Sequence, residues 1–229
     1  ENRNVIEDLL NIKFFDNHKY KIIHKDSPDF RGIDCAILID TSFFNIVSYN
    51  FLEVRVPYAN RPTRDIIHVK AGVQGQEMNF FVNHWPSRWG GTDKTEYKRI
   101  HAAKVLREYI DQINQDENII IMGDLNDYPD NKSVKDILVK DDFTNLMNSI
   151  SEFEGSYNYK NNWGFLDHII VSNNLLESSV SNRIRVSHYN VFGPEWMMFI
   201  DSKGRKKPNR TFGGNKWYRG FSDHLPVYC

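Results

Sequence analysis

Cysteine is nearly absent from this chain, and the two present, Cys35 and Cys229, show neither CxxC nor Cys/His spacing. Both lie in apolar, strand-like runs and read as small buried hydrophobes, so a disulfide scaffold and a cysteine-bound metal are excluded as organising principles. No apolar run is long enough to span a bilayer, and no secretory hydrophobic segment is visible. Charge of one sign is also missing: the formal net charge is −1, which argues against a surface coated in cations for nonspecific nucleic-acid binding but leaves room for a local basic patch. Repeats, low-complexity tracts and Pro/Gly/Ser-rich linkers are lacking, so 229 residues at 40% hydrophobic are read as one domain, 1–229, with a sizeable core.

Periodicity supplies the elements. A short helix is expected over Asn4 to Leu10, then strands at Tyr20 to Ile23, Cys35 to Ile39, Ile46 to Phe51, Ile66 to Ala71 and Met78 to Val82. From Thr92, a suitable N-cap, Ile100, Ala103, Leu106, Tyr109, Ile110 and Ile113 recur at helical spacing and mark the longest helix. It feeds the β-branched run Ile119-Ile120-Ile121. A helix near Ser133 to Val139, a strand at His168 to Val171, a long polar loop from Asp201 to Gly220 and a strand at Pro226 to Cys229 follow. Strands in meander order, then strands alternating with helices, indicate a mixed α/β protein with two packed sheets.

Four short polar motifs abut these strands: Asn83-His84-Trp85-Pro86-Ser87-Arg88, Gly123-Asp124-Leu125-Asn126-Asp127, Leu166-Asp167-His168, and Ser222-Asp223-His224-Leu225-Pro226. Asp124 and Asn126 stand two apart, so an emerging strand would point both to one side, where a carboxylate and an amide can hold a water or a phosphate oxygen. The same tetrapeptide is also good turn chemistry. The Arg88 guanidinium is shaped to clamp phosphate, and the nearby His84 can donate a proton. Asp223-His224 offers a second imidazole, which Asp167 could orient from the mouth of another strand. No nucleophile elbow, P-loop or GxGxxG competes with this set. Two imidazoles, three carboxylates, an amide and an arginine suit phosphoester hydrolysis assisted by a hard divalent cation.

The four motifs, in this order, resemble the signature of the endonuclease/exonuclease/phosphatase superfamily, and Arg31-Gly32-Ile33-Asp34 resembles a further family segment. The resemblance implies a deoxyribonuclease I-like four-layer α/β sandwich of two mixed β-sheets flanked by helices, with a site dependent on Mg²⁺ (or Mn²⁺) at one edge. It implies catalytic roles for His84, Asp124, Asn126, Asp167 and His224: Asp124 and Asn126 on the attacking water and phosphate, His224 on the scissile phosphate, His84 on its oxygens or the leaving group. It makes Asp223 a metal ligand. In the family a strand with an Asn and a second ending in a metal-binding Glu come first; Glu1-Asn2-Arg3 resembles the stretch after that Glu, so the N-terminal strands and that ligand are expected upstream of Glu1.

Cations from Lys203 to Arg219 interleave with Phe212, Trp217 and Tyr218 just before the last motif, a pattern that can track a phosphate backbone and stack bases. Its Lys203 to Lys207 half reads as a solvated loop. Arg210, Trp217 and Arg219, with Arg88, are the expected substrate contacts. The expected function is a monomeric metal-dependent phosphodiesterase or nuclease acting on a phosphate ester, with nucleic acid the foremost candidate. A phosphomonoesterase or lipid-headgroup phosphodiesterase, and a noncatalytic binding module on the same fold, are the alternatives.

Overall fold

The computed structural model describes residues 2–29, 32–59, 61–113, 116–176 and 184–229. Glu1 and Arg31, which carried parts of the resemblance, lie outside the described residues.

Helix α1 (Arg3–Leu10) is capped by the Asn2 side chain, which accepts from the Val5 amide, and it touches β1 (Tyr20–His24). Strand β1 pairs antiparallel with β2 (Ala36–Asp40). The central sheet is built from β3 (Asn45–Leu52), β4 (Ile66–Val73), β5 (Gln76–His84), β6 (Asn118–Asp124), β7 (Phe143–Asn145) and, after the small hairpin β8 (Tyr157–Tyr159) and β9 (Asn162–Gly164), β10 (Asp167–Ser172). Its order is β3-β4-β5-β6-β10-β7, antiparallel except for the β5–β6 pair. A parallel pair needs a crossover, and helix α2 (Thr92–Ile110) supplies it.

Both faces of this sheet are covered, and period-two alternation deals its side chains to two cores. Ile66, Phe81, Ile119, Ile121 and Ile170 meet Ala102, Ala103, Leu106 and Ile110 of α2 on one face. Ile67, Val69, Phe80, Ile120, Ile169 and Val171 meet Ile23, Cys35 and Ile39 of the β1–β2 side on the other. The α/β class and mixed sheet are as expected, but among the described residues the second β layer is two separate antiparallel ladders, β1–β2 and β11 (Asn190–Val191) with β16 (Val227–Tyr228), rather than one mixed sheet.

Several local expectations change. Gly91, at φ 117°, precedes α2, and Thr92 is its first residue rather than its cap. The buried stripe of α2 runs through Thr95, Arg99, Ala102, Ala103, Leu106 and Ile110, so Arg99 and not Ile100 faces inward. Ser133–Val139 is a π-helical segment. The polar stretch before the last motif forms two hairpins, β12 (Met198–Ile200) with β13 (Lys206–Pro208) and β14 (Phe212–Gly213) with β15 (Lys216–Trp217). Cys35 is buried as anticipated, whereas Cys229 is exposed.

Arg99 is inside because Asp127 is. The Asp127 carboxylate is 1% exposed and lies 2.7 Å from Arg99 Nε and 3.0 Å from Arg88 Nη2, and it accepts the Ser133 hydroxyl at 2.6 Å. The loop after β5, helix α2 and the π-helical segment are thereby tied to one point behind the ends of the strands. Asp127→Asn keeps the shape but strands Arg99 as an uncompensated buried charge, and should cost about 3–5 kcal/mol in urea unfolding. Asp130→Asn, at a side chain 92% exposed, is the control and should leave the midpoint in place.

Candidate active site

Sheet register assembles the centre of the site. In the β5–β6 ladder His84 pairs with Asp124, and in the β6–β10 ladder Asp124 pairs with Asp167. Three adjacent strands therefore end on one edge with His84, Asp124 and Asp167 side by side, at an inter-strand spacing of about 4.8 Å. Gly123 makes the approach feasible: it adopts φ 125°, and a Cβ there would stand 2.0 Å from the Asn83 carbonyl oxygen.

Asp124 and Asn126 do meet, but through a turn rather than through strand periodicity. β6 ends at Asp124, and Asn126 adopts φ 53°, a left-handed conformation that Asn tolerates. Its amide N–H donates to Asp124 Oδ1 at 2.8 Å, and its Nδ2 donates to Asp124 Oδ2 at 3.1 Å and to the Trp85 carbonyl at 3.0 Å. The turn reading and the site reading of Asp-Leu-Asn-Asp are thus the same structure. His84 Nε2 stands 3.6 Å from Asp124 Oδ2.

His224 arrives from the last motif. Its Nδ1 lies 2.7 Å from Asp167 Oδ2, which also accepts the Ser156 hydroxyl at 2.7 Å, and its ring sits 4.6 Å from that of Tyr157. With Nδ1 so engaged, Nε2 is the nitrogen left for a substrate. Burial would depress the His224 pKa, but the bond and charge of Asp167, with the charges of Asp124 and Asp223, outweigh it and raise the pKa to about 9. Asp167 is correspondingly lowered: burial opposes ionisation, and the His224 bond and charge and the Ser156 hydroxyl overcome it. Asp124 goes the other way, to about 7, through burial and then the Asp167 charge, with His224, the Asn126 N–H and Arg64 opposing. One edge thus presents an imidazolium held by a carboxylate and, beside it, a carboxylate that titrates near neutrality.

The remaining expected residues divide. Asp223 is half-exposed and ion-paired with Arg210 at 3.1 Å, and it stands outside the set Asp124, Asp167 and His224, whose ligand atoms all lie within 4.8 Å of one another. Arg88 is not poised as a phosphate clamp: it donates to the Asn126 carbonyl at 2.7 Å, to Asp127 at 3.0 Å and to Asn131 Oδ1 at 2.7 Å, and lies 4.1 Å over the Tyr128 ring. Its donors hold the Asp124 turn together. Arg210, with Tyr157, Tyr159, Lys207 and Asp223, lines a cavity of about 240 Å³ beside His224. Trp217 and Arg219 belong to the β14–β15 hairpin region, where the guanidinium lies 5.5 Å over the indole. Sequence reasoning missed Ser156 and Tyr157, which no motif marks. The nearest signal was glycine: a Cβ on Gly155 would lie 2.3 Å from the Gly164 amide nitrogen, so the pair brings Ser156 beside the strand that begins at Asp167.

The family profile described as Endonuclease/Exonuclease/phosphatase family matches residues 1–229. The chain belongs to that family and has its phosphoesterase fold. No curated protein matches it significantly in sequence. Among solved structures, D. rerio TDP2 complexed with a single-strand DNA product is similar at TM-score 0.64 and 14% identity, over 100% of this chain and 82% of that one. The human Nocturnin catalytic domain with bound sulfate is similar at TM-score 0.60 and 16% identity, over 98% and 73%. A mannosyl-6-phosphatase of Bacteroides thetaiotaomicron is similar at TM-score 0.57 and 18% identity, over 98% and 79%.

His168, behind the edge, carries a pH dependence. Its Nε2 lies 2.9 Å from the Asp127 carbonyl, and its Nδ1 faces the Asn145 amide nitrogen at 2.9 Å, so only the neutral ring satisfies both partners. Complete burial pushes its pKa down to about 4, against the Asp127 carbonyl bond and the Asp167 and Asp127 charges. As pH falls from about 6.5 towards 4, the unfolded chain takes up a proton that the folded one refuses, so folding stability falls in that window. Urea midpoints measured from pH 7 to pH 4 should drop more steeply in the wild type than in His168→Gln.

Proposed function

We propose that this chain is a divalent-metal-dependent phosphodiesterase whose substrate is a nucleic-acid strand. The observation that carries the reading is the pairing of His224 with Asp167, one strand from Asp124 and two from His84, which sets an imidazolium and a near-neutral carboxylate side by side on one edge. In this reading Asp124, its orientation held by Asn126, accepts a proton from the attacking water. His224, fixed by Asp167, donates through Nε2 to a nonbridging oxygen and stabilises the charge that develops there. His84 steadies the phosphate oxygens or protonates the leaving group.

The donor set fits a hard cation. Two carboxylates sit close enough for Asp167 to raise the pKa of Asp124, and a divalent ion beside Asp124 would reverse that repulsion. Asp223, once released from Arg210, would hold Mg²⁺ or Mn²⁺ beside Asp124, which stays the base. When bound, such an ion supplies Lewis-acid neutralisation of the phosphate. Nucleic acid is favoured by Arg210, Lys207 and the aromatic side chains around the cavity beside His224, and by the TDP2 neighbour's DNA product. The mannosyl-6-phosphatase neighbour supports a phosphomonoester as the second reading.

In the full-length natural protein, cleavage of an oligonucleotide should require Mg²⁺ or Mn²⁺ and stop with chelator. His224→Ala and Asp124→Asn should each lower kcat by at least about 10²-fold; unchanged turnover in either would remove the assigned role. Replacing Arg210, Lys216 and Arg219 together by Ala should weaken oligonucleotide binding and flatten its salt dependence by roughly one unit per lost phosphate contact. A small phosphate ester assayed alongside should respond much less. Equal losses on both substrates would favour the phosphomonoesterase.

A further inference from the structure

A second cavity opens on the same sheet edge, on the side of the His84 loop away from β10. Its volume is about 380 Å³, and its lining includes Arg61, Thr63, Arg64, Ser87, Trp89 and Lys98. Ser87 follows His84 by three residues, so the two lie within about 10 Å of each other along the chain.

The lining is cationic and built. Arg64, its side chain 4% exposed, donates through Nε to the Ile33 carbonyl at 3.2 Å, with Nη2 3.5 Å from Asp29, the one carboxylate among the lining residues. The Arg61 guanidinium lies 5.6 Å over the Trp89 ring, and that ring is 80% exposed. Lys98 has no ion pair among the described residues. Thr63 is 7% exposed, and its hydroxyl is buried with no hydrogen-bond partner. A buried hydroxyl without a partner is rare in folded proteins and calls for a ligand or a water. Three cations against one carboxylate, an unmet hydroxyl and an open indole face together describe an anion site beside a planar platform. Arg64 also acts electrostatically on Asp124, so the cavity and the catalytic edge share one field.

We propose that this cavity is a second phosphate subsite, which holds a phosphate one linkage away from the phosphate being hydrolysed and offers Trp89 to the group between or beyond them. The inference rests on the phosphoesterase reading above and adds to it what the substrate must carry: a second phosphate, from a nucleic-acid strand or from a small bisphosphate.

The test is calorimetric binding to the full-length protein in chelator, where no hydrolysis is needed. Thymidine 3′,5′-bisphosphate should bind at least about tenfold more tightly than thymidine 5′-monophosphate, as expected for one added charge-assisted contact set. Arg61→Gln and Lys98→Gln should each erase most of that advantage and leave monophosphate binding unchanged. Thr63→Val, which should not harm folding because it removes an unpaired hydroxyl, should weaken the bisphosphate alone. Equal affinity for mono- and bisphosphate in the wild type, or equal losses on both in the variants, would overturn the subsite. Trp89→Ala separates the sources: a loss confined to the nucleoside bisphosphate marks a strand, and an undiminished preference for fructose 1,6-bisphosphate over fructose 6-phosphate marks a small bisphosphate. Selective bisphosphate binding without metal-dependent cleavage would sink the phosphoesterase reading and keep the subsite; cleavage without selectivity would do the reverse.

Discussion

The buried Asp127 carboxylate is the constraint on which the rest of this molecule leans. A charge 1% exposed survives only if its partners are fixed. Here Arg99, itself 0% exposed, and Arg88 compensate it, and Ser133 adds a hydroxyl. His168 closes the arrangement from β10 by meeting the Asp127 carbonyl. Each partner comes from a different element, so satisfying the carboxylate sets the position of α2, the π-helical segment and the loop after β5, and the Asp127 carbonyl fixes the start of β10. All of them bear on the edge where His84, Asp124 and Asp167 stand. A buried ion pair adds little net stability over well-packed apolar groups, and its clearest use is to specify one arrangement. Geometry at the edge is what that specification secures.

Two levels of order then place the side chains. Ladder register puts His84, Asp124 and Asp167 on adjacent strand ends, and the left-handed Asn126 folds the chain back so that its amide grips Asp124 and Trp85 together. The first is a property of three strands with alternating cores on both faces. The second is one residue's backbone conformation, held by Arg88 on the Asn126 carbonyl.

The strands of the central sheet were legible because their apolar runs are continuous and end in polar motifs: Asn79-Phe80-Phe81-Val82 and Ile119-Ile120-Ile121 could be read directly, and so could the tips they deliver. Ionic interiors were not. Hydrophobic periodicity assigns a charged residue to the solvent side, so it put Ile100 rather than Arg99 on the buried face of α2, and it offered Arg88 to a phosphate rather than to Asp127 and Asn131. Asp223 was read from its motif alone, and its Arg210 partner depends on two hairpins in a stretch too polar for strand patterning to mark. Ser156 and Tyr157 reach the site through a close approach of Gly155 to Gly164, which no side-chain pattern encodes. Cys229 follows apolar residues in the sequence but lies just past the two-residue strand β16 and is exposed.

Charge balance joins these elements to chemistry. Asp124, Asp167 and Asp223 bring three carboxylates to the neighbourhood of one imidazole, and an incoming phosphate would add negative charge to that crowd. His224 neutralises Asp167, Arg210 neutralises Asp223, and Arg64 acts on Asp124 from the neighbouring cavity. Asp124, with His84 3.6 Å away, is the member whose pKa rises to about 7, through its burial and then the charge of Asp167. A carboxylate held near neutrality by its burial and by a neighbouring carboxylate is where added positive charge at this edge would act most strongly.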